Sequence, residues 1–250
     1  MSDETADATR LYVAGPLAAG RRPWPRLLEL FAGGQGAAVG YARAGFEVHA
    51  VDIEAHPLHP EVQAFTRGDA FEVLADVDYC RTFDVITGGP PCHDHSDLAA
   101  VTGADHGTGW MLAETIRRLR VIGRPWVVEN VDSASLLRGE LMLCGSMFGL
   151  GVDCRDGVHR YLERHRRFAS SEFLVPPGLC RHVGQPVGVY GTGGGGRMTR
   201  GYKGHPEEAA EAMGIDWMTR RARAQAIPPA YSQFIGEQLM DVLAAERAAS

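Results

Sequence analysis

With 250 residues, 45% of them hydrophobic and 22% charged, the chain is long enough to bury one sizeable core and too apolar to stay disordered. The formal net charge of −6 argues mildly against a polyanion as partner, and the five cysteines, without CxxC spacing, argue against a disulfide framework or a standard zinc ribbon. No apolar run is long enough to span a bilayer and the N-terminus, MSDETADATR, has no signal-peptide pattern, so a cytoplasmic protein is expected.

In chain order, residues 1–24 read as a flexible leader rich in Ala, Gly, Pro and charge. RLLELF (Arg26–Phe31) is a short apolar run that stops at a glycine cluster. GAAVGYARAGF then has helical character, and EVHAVDI is a second strand ending near Asp52. FDVITGG is another buried strand. GWMLAETIRRLRVIG places Leu112, Ile116 and Leu119 at i, i+4, i+7 with arginines opposite, the pattern of an amphipathic helix. RPWVVENV returns as a strand. Strands alternating with helices predict an α/β fold with a mostly parallel sheet. From Ser170 to His205 the periodicity fades, through VPPGLCRHVGQP and GTGGGG, and helices resume at HPEEAAEAMG and PAYSQFIGEQLMDVLAAERAA. The expected division is a leader (1–24), a catalytic and cofactor-binding domain (25–169), a short target-recognition region (170–211) and C-terminal helices that complete the domain (212–250).

Several short stretches carry chemistry. LELFAGGQG to HAVDIE is strand, glycine turn, helix and strand ending in an acid. Such a turn lets a ligand approach the backbone, and Asp52 can accept from ribose hydroxyls; the same residues also make an ordinary tight turn. Asp69 lies where a third strand should end, able to take an exocyclic amine or to cap the helix AFEVL. TGGPPC ends a strand with two prolines that fix a rigid turn before Cys92, at the sheet edge where open α/β folds bind ligands. His93 and His95 lack ligand partners at zinc spacing, and no metal is expected. Glu129, after an apolar strand, is placed to be desolvated and to hold a proton; Arg164 and Arg166, two apart, would reach an anionic or carbonyl ligand together or form plain surface charge. From Arg155 to Lys203 nine basic residues face three acidic ones, a block suited to phosphates or to a solvated face.

FAGGQG, GGPPC, ENV, RxRxF and IPPAYSQFIG, in this order, resemble the cytosine-5 DNA methyltransferase family, most of all its small phage and actinobacterial members, over roughly residues 26–168 and 212–240. The resemblance implies a Rossmann-like S-adenosylmethionine-dependent fold with a short target-recognition lobe. It implies a cofactor site from Phe31, Ala32, Gly33, Gly36, Asp52, Ile53, Asp69, Ala70 and Pro90, with S-adenosylhomocysteine as product. Asp52 and Ile53 would meet the ribose and adenine, and Asp69 the adenine amine. Catalysis would fall to Cys92, Glu129, Arg164 and Arg166. The departures are Gln35 for a second glycine, His93 for a glutamine, Leu162 for the glutamine of QxRxR, and Pro228 near an asparagine.

The expected activity is methyl transfer to carbon 5 of cytosine in DNA through a Cys92 adduct, by a monomer with no membrane attachment. Arg197, Arg200 and Lys203, around GTGGGG, are the expected phosphate contacts. The rivals are the same chemistry on RNA or a free cytosine nucleotide, transfer of a larger group, and a catalytically silent DNA-binding homologue.

Overall fold

The computed structural model describes residues 24–91, 107–134, 137, 140–189 and 202–249. Most of the expected leader, together with Cys92, Arg197 and Arg200, lies outside the described residues.

RLLEL forms β1 (Arg26–Leu30), whose Leu27, Leu28 and Leu30 are wholly buried. The chain then turns into α1 (Gly36–Arg43), β2 (Glu47–Asp52), β3 (Ala64–Arg67), α2 (Ala70–Ala75), α3 (Val77–Cys80) and β4 (Val85–Gly88). The amphipathic pattern becomes α4 (Met111–Ile122), which buries Leu112, Ile116 and Leu119 and stops where Gly123 adopts φ +71°. β5 (Trp126–Val131) follows, then the short β6 (Leu141–Leu143), β7 (Gly151–Asp153) and β8 (His159–Tyr161), and β9 (Arg166–Ser170). Three helices end the chain: α5 (Pro206–Met213), α6 (Arg220–Gln225) and α7 (Pro229–Ala249).

The main sheet has seven strands in the order β3-β2-β1-β4-β5-β9-β6. The first five run parallel; β9 lies antiparallel between β5 and β6. Parallel strands buried on both faces read as near-continuous apolar runs, as the central β1 and β4 and the start of β5 do, while β3 at the sheet edge is only partly buried. The chain leaves β1 to one side through β2 and to the other through β4. This reversal opens a crevice at the carboxyl ends of β1 and β4, where such sheets bind ligands.

One core cluster packs α2 and α4 on the sheet; a second packs α1 and α7 on its other face. α1 and α7 meet through glycines. A Cβ on Gly40 would overlap Pro229 O and Ser232 Oγ, and one on Gly236 would lie 2.7 Å from Ala44 Cβ. A third cluster joins Val152, Cys154 and Leu162 to Val187, Met213, Ile215 and Met218. Residues before 170 and after 211 thus share one small core around the β7–β8 hairpin. Leu162, where the family pattern carries glutamine, is buried in it.

Candidate active site

The loop after β1 is the most strained backbone among the described residues. Phe31 has φ +56°, Gly33 +50° and Gln35 +68°. An aromatic residue in the left-handed region costs on the order of 1–3 kcal/mol and persists only where its surroundings over-determine it. They do here. Ala32 N donates to Val51 O at 3.0 Å and Gly33 N to Asp52 Oδ2 at 2.7 Å. Trp217 Nε1 donates to Gly34 O at 2.9 Å. Gln35 is buried, its Nε2 donating to Pro57 O at 2.7 Å and its Oε1 accepting from His59 N at 3.0 Å. The departure from glycine at 35 is therefore a strut between the loop and the segment after β2.

The glycines of this loop differ in purpose. A Cβ on Gly33 would meet nothing within 4 Å, leaving open space beside the turn. On Gly34 it would lie 2.8 Å from Met218 Sδ, and on Gly36 2.6 Å from Ile227 O. Gly36, expected beside a cofactor, is needed for packing against IPPA. That segment closes on both loops, since Ile227 Cδ1 also lies 3.9 Å from the Cβ position of Gly89.

The remaining cofactor candidates line the same edge. Asp52 ends β2, and its Oδ1 accepts from Glu54 N at 2.9 Å while Oδ2 holds Gly33 N. Ile53 is 66% exposed, an apolar side chain with no packing reason to face water. Asp69 caps α2 by accepting from Phe71 N at 2.7 Å through Oδ1; Oδ2 takes no bond among the described residues. Ala70 follows it, buried. Phe31 meets Phe71 edge-on at 5.7 Å, and Phe71 stacks on Trp110 at 4.9 Å.

The loop after β4 reaches the described residues as Gly89, Pro90 and Pro91. Asn130, wholly buried, donates from Nδ2 to Pro90 O at 3.1 Å and accepts from Val131 N at 2.9 Å. The asparagine of ENV thus fastens the proline turn that leads into Cys92.

Beside it, Glu129 projects from β5 and meets Arg166 Nε at 2.7 Å, each side chain 13% exposed. The contact is ionic rather than an aligned hydrogen bond, because Glu129 Oε1 lacks a donor in good geometry. Burial raises the Glu129 pKa, against the opposing pull of Arg166 and then Arg164. The two arginines are not equivalent. Arg164 precedes β9 and donates to Ala226 O at 3.1 Å and Ala224 O at 2.7 Å, which ties it to the end of α6. Arg166 is the arginine directly against Glu129.

Glu29 went unnoticed within RLLEL, where it reads as one polar residue in an apolar strand. It is buried on β1 and accepts from the Thr87 hydroxyl of β4. Glu29, Tyr41, Thr87 and Glu129 help line a cavity of about 10 Å³, room for at most one water. Burial pushes the Glu29 pKa up to about 8, with Thr87 opposing and Glu129 reinforcing. An acid whose folded pKa is raised keeps its proton in the folded state while the unfolded chain releases it. Stability therefore falls as pH climbs from about 4.5 to about 8, by up to about 1.4 kcal/mol per pH unit. Glu29→Gln, which cannot ionise, should match the parent near pH 4.5 and gain on it steadily up to pH 8. Urea unfolding at spaced pH values checks this; parallel curves for the two proteins would refute it.

Lys203 is exposed, as a phosphate contact requires, whereas the neighbouring Tyr202 ring is engaged, with Arg160 stacked 3.9 Å above it. A surface depression of about 670 Å³ lined by Arg43, Glu207, Glu211 and Trp217 shares no residue with the loops after β1 and β4.

Cys144, His165, Cys180 and His182 form a cluster that the spacing rules did not find. Their sulfur and ring-nitrogen atoms all lie within 4.8 Å of one another.

A family model described as C-5 cytosine-specific DNA methylase matches residues 26–138. The type II methyltransferase M.HgiGI of Herpetosiphon aurantiacus is 32% identical over 121 residues, covering 44% of this chain and 94% of that relative. M.HgiDI of the same organism is 33% identical over 134 residues, covering 50% of this chain. The chain spans 42% of that relative, and 29% of a further type II methyltransferase, M.NgoPII of Neisseria gonorrhoeae. Among solved structures, a DNA modification methyltransferase encoded within an E. coli prophage shares the fold, with a TM-score of 0.56 over 88% of this chain and 99% of that one, at 16% identity. Among the described residues no helix is long and apolar enough to cross a membrane.

Proposed function

Because the chain belongs to the C-5 cytosine-specific DNA methylase family, we propose that it is a cytoplasmic DNA cytosine-5 methyltransferase that uses S-adenosylmethionine. The observation that carries this reading is the convergence of the strained Phe31–Gln35 turn, the Asn130-fastened proline turn before Cys92 and the Glu129–Arg166 pair at one edge of the sheet.

The donor fits the first of these. Gly33 leaves space at the turn, Asp52 offers carboxylate oxygens at the end of β2, Ile53 offers an apolar face and Asp69 an acceptor. Phe31, Ala32, Ala70 and Pro90 would complete the walls, with Gly36 keeping α1 in place. Bound there, S-adenosylmethionine supplies an electrophilic methyl group.

Cytosine carbon 5 is a poor nucleophile. Addition of the Cys92 thiolate to carbon 6 makes the ring enamine-like, so that carbon 5 takes the methyl group. Glu129, whose burial eases protonation against the pull of Arg166, would hydrogen-bond ring N3 and the exocyclic amine and carry the proton that meets negative charge pushed into the ring at N3. Arg166 orients Glu129 and would hold the O2 carbonyl; Arg164 holds the β9 entry against α6. Loss of the carbon-5 proton and β-elimination then return Cys92. In duplex DNA the cytosine has first to leave the stack, at a cost of a few kcal/mol. Phosphate contacts from Arg197, Arg200 and Lys203, in the 170–211 region that we assign to target recognition, would offset part of that.

The test supplies DNA, RNA and dCMP in parallel with methyl-labelled S-adenosylmethionine and identifies nucleosides by mass spectrometry. The expected product is 5-methyl-2′-deoxycytidine from DNA alone. Label in RNA or nucleotide would move the substrate, a heavier adduct would change the group, and no label anywhere would leave a silent binder.

A further inference from the structure

The described chain after β9, residues 171–186, has little regular structure of its own to hold it in shape. From 171 to 186 it contains no helix or strand. Apart from Leu174, its large apolar side chains face solvent: Phe173 is 89% exposed, Leu179 87% and Val183 68%. Its ends are tied by Ser171 to Trp126 and by Pro186 O to Tyr202 N, and Leu174 rests on the core; between them, outside the cluster, the described bonds are Gln238 on Val175 and Ser146 Oγ accepting from Arg181 N at 3.1 Å. A segment that buries so little apolar surface needs another source of order, and small lobes of this kind are held by disulfides or metals.

Four side chains of metal-ligating type converge at its base. Cys144 follows β6 and His165 precedes β9. Because Leu143 pairs with Arg166, these two stand one step beyond the β6–β9 ladder. Cys180 and His182 come from the loop as a C-x-H unit. Cys180 Sγ lies 2.7 Å from His182 Nε2 and 3.3 Å from His165 Nε2, and Cys144 Sγ lies 3.4 Å from His182 Nε2. In a tetrahedral zinc site with Zn–S of ~2.3 Å and Zn–N of ~2.0 Å, ligand atoms stand about 3.3–3.8 Å apart. The cluster reaches that shape by sub-ångström movements, and it is too compact for the ligands of a two-iron centre.

The surroundings fit as well. His182 turns Nε2 to the cluster and Nδ1 to Glu163 Oε2 at 3.6 Å, and an outer carboxylate fixing the ring of a ligating histidine is the usual support. Cys144 is buried while His182 is exposed, so the site has a closed floor and an entry from solvent.

We propose that Cys144, His165, Cys180 and His182 bind one structural zinc ion that fastens the base of the 170–211 region to the β6–β9 edge of the sheet. Two thiols and two imidazoles select a tetrahedral borderline-soft ion, and four protein ligands leave no open position for chemistry. Binding releases the thiol protons. His165 sits between Arg164 and Arg166, so the ion ties the lobe to the segment that carries the Glu129 partner. The site is separate from the crevice and does not rest on the proposed reaction: a chain that methylates nothing would still take up the metal.

The test is elemental analysis of the full chain, purified under reductant with any affinity tag removed. One zinc per chain is expected. Cobalt(II) exchanged into the site should give the visible bands of a tetrahedral centre with a sulfur-to-cobalt charge-transfer band. Cys180→Ser and His182→Ala should each drop metal to background and increase protease cleavage between 171 and 189, while Cys154→Ala keeps its zinc. Circular dichroism reports whether each variant folds. Should Cys180→Ser fail to fold, the exposed His182→Ala and the cobalt spectrum of the parent decide. A folded parent that holds no zinc after anaerobic loading, that holds iron instead, or whose folded variants keep full zinc content would overturn the site.

Discussion

Cys92→Ala should abolish methyl transfer, by at least about 10³-fold, while S-adenosylmethionine still binds. In the proposed reaction the thiolate raises electron density at carbon 5 through a covalent bond, which a hydrogen bond cannot replace. The proposed binding elements lie elsewhere: Asp52 ends β2, Ile53 follows it, Asp69 caps α2, and the Pro90 turn is held from β5 by Asn130. Calorimetric titration with the donor should therefore match the parent. DNA carrying 5-fluorocytosine, which stalls the elimination, should trap the parent covalently and leave the variant free. Residual turnover in the alanine protein, or an adduct with 5-fluorocytosine DNA, would remove Cys92 from the mechanism.

Glu129→Gln should cost about 10²–10⁴ in kcat, the range for losing a positioned acid. The isostere keeps the shape of β5 and still offers an amide to the base, but has no proton to give at N3. It also leaves Arg166 facing a neutral partner in a mostly buried place, so a moderate loss of stability is expected as well. The two effects separate experimentally. Donor binding and a thermal melt report the fold, and single-turnover methylation at saturating DNA reports chemistry. A variant as fast as the parent in single turnover would mean that Glu129 serves only to hold Arg166.

What was legible in the sequence was whatever local pattern announces. The glycine cluster after RLLELF, the acid ending EVHAVD and the prolines before Cys92 are each weak alone, yet their order along alternating strands and helices located the crevice. The three-residue strands β6, β7 and β8 are too short to show a period, so the β6–β9 edge was invisible and with it the meeting of Cys144 with His165. That meeting depends on an antiparallel pairing with no signature in residue spacing. Glu29 was hidden for the opposite reason. An acid inside an apolar strand looks like one polar exception, and only its opposition to Thr87 across β1 and β4 gives it a partner. Arg164 and Arg166 looked equivalent until the start of β9 separated them.

The glycine contacts between α1 and α7 bear on synthesis. Pro229 O and Ser232 close on Gly40, and Ile227 O closes on Gly36, so the wall behind the strained turn is supplied by the part of the described chain that leaves the ribosome last. While residues 26–169 are emerging, the Phe31–Gln35 turn can make its bonds to Val51, Asp52, Pro57 and His59 but lacks Trp217 and the Ile227 wall, and the apolar face of α1 has no cover. Contacts so distant along the chain close slowly, because the entropy of the intervening loop is spent before they form. The nascent protein should therefore expose a sticky helix face until residues 227–236 have emerged, and be prone to association through it for that interval.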